Sequence, residues 1–60
     1  MTKSKAIANA LRLARKFKRN NYYVVLESGE YDSCTEEDLS GHYAESLVVS
    51  IIVDNQVWHV

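Results

Sequence analysis

Cys34 and His42 come nearest to a catalytic pair. A thiol needs a base to become a nucleophile, and a histidine eight positions on, in an irregular stretch, can fold back to supply one. No nucleophile motif surrounds Cys34, however. A pocket of roughly 300 Å³ or more, as small-molecule chemistry requires, is also hard to build in so short a chain. The sequence therefore predicts a non-enzyme. Cys34, His42, His59 and Asp32 are metal-ligating types, but there is no C-x-x-C and no H-x-x-x-H spacing to fix a geometry. The calcium-loop pattern of alternating aspartates followed by glycine is missing. Gly29 and Gly41 stand alone and read as turn glycines, not as a phosphate-cradling loop. No cofactor and no metal site are expected.

Charge is the feature that the catalytic reading leaves unused. The chain has 60 residues, 7 basic and 8 acidic, for a net charge of −1. All of the bases lie in residues 1–19: Lys3, Lys5, Arg12, Arg15, Lys16, Lys18 and Arg19. All of the acids lie after position 26: Glu27, Glu30, Asp32, Glu36, Glu37, Asp38, Glu45 and Asp54. The molecule is dipolar unless its two halves neutralise one another on folding.

The elements that must carry these charges follow from hydrophobic periodicity. Residues 3–19 are rich in alanine, leucine, lysine and arginine and predict a helix, with Thr2 or Ser4 to cap its start and Asn20 or Asn21 to end it. Ala6, Ile7, Ala10, Leu11, Leu13, Ala14 and Phe17 fall in one sector about 160° wide. Lys5, Arg12, Arg15, Lys16 and Arg19 fall on the opposite side, with Asn9 as the one polar residue able to read a base. Residues 21–27 (NYYVVLE) predict a strand. Ser28-Gly29 signals a turn. A second strand through residues 30–33 would set Glu27 against Glu30, a like-charge pair. The acidic stretch, residues 28–45, reads as largely irregular, with Thr35 as N-cap of a single helical turn and Gly41 to stop it. Residues 46–60 predict a hairpin around Asp54-Asn55, with Ile51 opposite Trp58 and Val49 opposite Val60.

These elements make one α+β domain, residues 1–60: an N-terminal helix across one face of a three- or four-stranded antiparallel sheet that ends in a C-terminal hairpin. The face Leu47, Val49, Ile51, Val53, Trp58, Val60 is apolar and is expected under the helix. Val48, Ile52, Val57 and Val25 are then left on an uncovered face. Such a patch, or a free strand edge, implies a homodimer or docking on a larger macromolecule. With one cysteine, no secretory signal and no long apolar run in the sequence, a cytoplasmic location is expected.

Two functions fit. The leading one is a small protein-interaction module, of the kind phages and mobile elements encode, that occludes a host nucleic-acid-handling protein. It would present Glu27, Glu30, Asp32, Glu36, Glu37 and Asp38, with Tyr31 among them, as a mimic of a nucleic-acid backbone. The alternative is a dimeric nucleic-acid-binding protein that uses Lys5, Arg12, Arg15, Lys16 and Arg19.

Overall fold

The computed structural model describes residues 1–18 and 21–60. Helix α1 spans Lys3–Phe17, strand β1 Asn21–Glu27, strand β2 Glu30–Cys34, the single turn α2 Glu36–Leu39, strand β3 Leu47–Val53 and strand β4 Gln56–His59. The four strands form one antiparallel sheet in the order β2-β1-β3-β4. The expected α+β architecture is thus the observed one, with four strands.

Thr2 is the N-cap of α1: its hydroxyl accepts from the Lys5 N–H at 3.2 Å. The helix stops earlier than residue 19. Lys18 takes the left-handed conformation (φ 53°) and returns its N–H to the Ala14 carbonyl. Of the two expected stops, Asn20 lies outside the described residues, as does Arg19, and Asn21 is not a helix stop but the first residue of β1. Ala6, Ala10 and Ala14 are buried and meet Tyr22, Val24 and Ile52. Three methyl-sized side chains in a row let the helix axis come close to the sheet.

The acidic stretch is more regular than its composition suggests. Ser28 (φ 51°) and Gly29 (φ 80°) form a tight turn, and β2 follows as a full strand. Glu27 does face Glu30 in the register. The repulsion is relieved because each has its own partner: Glu27 accepts from the Ser46 hydroxyl at 2.6 Å, and Glu30 binds the Met1 ammonium at 2.7 Å. Thr35 caps α2 in a reciprocal box with Asp38. Ser40, not Gly41, is the C-cap.

The C-terminal hairpin has the expected register, Ile51 to Trp58 and Val53 to Gln56, with Asp54 and Asn55 both at positive φ. Its facing is the reverse of the expectation. Ile52 is fully buried under α1, and Val57 packs against the same core, whereas Trp58, Leu47 and Val60 are 59%, 64% and 81% exposed. The central strand decides this. Tyr22 and Val24 face the helix, and they pair with Ile52 and Ser50, so the even-numbered residues of β3 there go inward. A register shift opposite Val24 and Val25 makes Val49 the extra residue of β3 and lets it pack on the helix-side core too.

The second face is also not bare. Val25 and Cys34 are buried there. Residues 35–46 fold over them: α2 packs on β1, and Tyr43 and Ser46 bond to Asp32 and Glu27. The chain is therefore three layers, with α1 on one face and the acidic segment on half of the other.

Candidate functional site: a basic helix face opposite an acidic layer

The two charged poles sit on opposite sides of the sheet. Lys5, Arg12, Arg15 and Lys16 are all exposed and follow the outer face of α1, away from the buried alanines. Arg15 and Lys16 lie in the last turn, where cations suit the negative end of the helix dipole. Arg12 donates to the Asn9 side chain at 2.8 Å, and Asn9 in turn donates to the Ser33 hydroxyl at 2.6 Å. Asn9 is thus a link between helix and sheet, not a free reader of bases. Among the described residues, no lysine or arginine of α1 is ion-paired with Glu27, Glu30, Asp32, Glu36, Asp38, Glu45 or Asp54; the ion pair is Met1 with Glu30. Folding leaves the Lys5, Arg12, Arg15 and Lys16 stripe without an ion pair to those seven acids. Phe17 is 56% exposed at the end of this helix, with the Lys16 Nζ 5.4 Å from its ring centre.

The acidic residues are more dispersed and more occupied. Glu27 and Glu30 flank the β1–β2 turn, while Glu36, Glu37 and Asp38 stand beyond the other end of β2. Asp32 is half-buried and accepts the phenolic hydrogen bond of Tyr43. Asp38 is consumed by the Thr35 cap. Tyr31 points to the other face, against the helix-side core. Glu36 and Glu45 remain exposed on the outer layer. Met1, Glu27, Glu30, Asp32, His42 and Tyr43 line a shallow open recess beside the turn. Its carboxylates draw Met1 in, and the contact holds Glu30 below the usual carboxylate range.

The catalytic types do not assemble into a reactive centre. Cys34 is buried, and loss of water contact with Asp38 and Asp32 nearby pushes its thiol up to about 11. That is the wrong direction for a nucleophile. His42 packs edge-on against the Tyr43 ring, and the His59 ring is 3.0 Å from the hydroxyl of buried Ser50. No group of three potential metal ligands occurs among the described residues. No helix among them is long and apolar enough to cross a membrane.

Sequence reasoning missed the exposed Trp58, because an apolar alternation shows that one face is buried but not which neighbour buries it. No protein-family model, curated protein or solved structure matches the chain.

Proposed function

We propose that this protein is a non-enzymatic binding module that grips a phosphate backbone with the outer face of α1. One observation carries the reading: Lys5, Arg12, Arg15 and Lys16 form an exposed stripe on one helix, and among the described residues no ion pair ties them to Glu27, Glu30, Asp32, Glu36, Asp38, Glu45 or Asp54. A regular helix holds such cations at fixed spacing, so little ordering is needed on binding. Four neutralised phosphates give a slope of roughly −3.5 in log K against log salt on duplex DNA. With Asn9 committed to Ser33 and Arg12, this face reads charge and shape and little sequence. Arg19 lies outside the described residues.

The test is fluorescence anisotropy with labelled duplex DNA and RNA at several salt concentrations. The double variant Arg12→Ala, Arg15→Ala should weaken binding for all sequences alike and flatten the salt slope by about 2. Binding that is absent at low salt, or unchanged in the double variant, defeats the reading.

The second reading turns the molecule over. Glu36 and Glu45, exposed on the layer opposite the helix, favour occlusion of a basic cleft on a nucleic-acid-handling protein, as an inhibitor from a phage or mobile element would do. It is the weaker of the two, because Asp32 and Asp38 are engaged inside the fold. Glu36→Gln with Glu45→Gln separates them. Those changes would abolish capture of a basic partner, and would leave nucleic-acid binding intact or tighter.

A further inference from the structure

The two edges of the sheet are treated differently by the fold. On β2, the outward-facing N–H groups belong to Tyr31 and Ser33. Tyr31 donates to the Met1 carbonyl at 3.3 Å, and Ser33 donates to its neighbour Asp32 at 2.8 Å. Glu30 and Asp32 add charge to the same edge. That edge is closed to another strand by both devices.

β4 has neither. The Val60 N–H bonds inward to the Val49 carbonyl at 3.1 Å, so by alternation Trp58 and Gln56 also bond to β3, opposite Ile51 and Val53. The N–H and C=O groups of Val57 and His59 therefore point outward, and they have no hydrogen-bond partner among the described residues. The edge reads Gln-Val-Trp-His, with no acid, lysine, arginine or proline. Helix α1 packs on β1, β2 and β3, and α2 packs on β1, so neither helix blocks this side. Trp58 stands half open on the face away from α1, in one row with half-buried Ile51 and Tyr23.

We propose that β4 pairs antiparallel with β4 of a second copy, about a two-fold axis through Trp58. The edge is complementary to itself in that register. Val57 faces the partner's His59, and His59 faces the partner's Val57, which gives four backbone hydrogen bonds between groups already turned outward. Trp58 then lies opposite the partner's Trp58 at a non-hydrogen-bonded position, where side chains approach most closely. The absence of charge on β4 gives a charged partner nothing to pair with and spares two identical copies any repulsion. The product is one continuous eight-stranded sheet. Because the axis is perpendicular to it, both α1 helices lie on the same face, and the tryptophans meet on the other. The contact is short by the standard of stable interfaces, so the dimer is weak and forms as the concentration rises.

Sedimentation equilibrium of the whole chain between about 1 and 500 µM, without nucleic acid, is the decisive experiment. The mean mass should climb from 6.9 kDa towards twice that value. In parallel, the tryptophan emission should shift to the blue, and an exciton couplet from the paired indoles should grow in the far-ultraviolet circular dichroism. Trp58 is the sole tryptophan, so both signals report on this contact. Trp58→Lys should leave a folded monomer, since its side chain is 59% exposed. His59→Pro, at an exposed position whose N–H β3 does not use, should do the same. Leu47→Lys, at an exposed site away from β4, should still dimerise. A wild-type chain that stays monomeric throughout overturns the proposal. So does a dimer that survives both β4 variants, or one lost in Leu47→Lys alone. The helix variants that test polyanion binding do not touch this edge, so the two readings fail separately.

Discussion

Tyr43 donates its phenolic hydrogen bond to the half-buried carboxylate of Asp32, and this contact pins the acidic segment onto the sheet. Tyr43→Phe keeps the ring against His42 but leaves the carboxylate with the Ser33 N–H and without its phenolic donor. A hydrogen bond to a charged group contributes about 1.5–3 kcal/mol, so the variant should lose roughly that much in urea unfolding. Cys34, buried beneath the same layer, should react faster with iodoacetamide in the variant. Unchanged stability and unchanged thiol reactivity would mean that the segment is held by other contacts.

Two groups give the fold an alkaline limit. The bond to Asp32 raises the Tyr43 phenol to about 12 from its ordinary 10.0, and burial raises the Cys34 thiol to about 11 from 9.0. Each is held neutral by folding. Their stabilisation is complete below about pH 9, and it is lost as pH rises through about 11 for the thiol and about 12 for the phenol. Thermal melts from pH 7 to 12 should fall most steeply above pH 9. Cys34→Ser with Tyr43→Phe should flatten that fall, although the double variant starts lower.

Close approach of α1 to the sheet rests on the small residues of its inner face. Ala10 has no exposed surface and sits at the centre of that contact. Ala10→Leu inserts three heavy atoms where none fit, and should destabilise the protein by about 1–3 kcal/mol or unfold it. Ala8→Leu, on an exposed position of the same helix, should be close to neutral. Circular dichroism melts of the pair distinguish packing from helix propensity.

The β3–β4 turn needs two residues that tolerate positive φ, and Asp54 (51°) and Asn55 (63°) supply them. Asn55→Gly should be neutral or slightly stabilising. Asn55→Val should cost on the order of 1–2 kcal/mol, because a β-branched side chain crowds the backbone there. Chemical denaturation of both variants measures the difference.

Local chemistry was legible in the sequence wherever it acts over a few residues. The Thr2 cap, the Thr35 cap with its acidic first turn, the Asp54-Asn55 hairpin and the segregation of cations on α1 all depend on neighbours within about one turn. The helix-on-sheet architecture followed from the same periodicities. The extent of the acidic segment's order did not, because the Glu27–Glu30 pair looks repulsive until Ser46 and Met1 are brought to it from distant parts of the chain.

The sequence by itself determined the elements, their internal register and the separation of charge into two halves, since propensity, capping and turn geometry are short-range. Tertiary structure alone decided which face of β3 and β4 lies inward, because that depends on how β1 pairs with β3. Tyr22 and Val24 draw Ile52 and Ser50 under the helix and turn Trp58 out. It also decided that, among the described residues, Lys5, Arg12, Arg15 and Lys16 make no ion pair with Glu27, Glu36 or Glu45, since a four-stranded sheet stands between the outer face of α1 and the acidic layer.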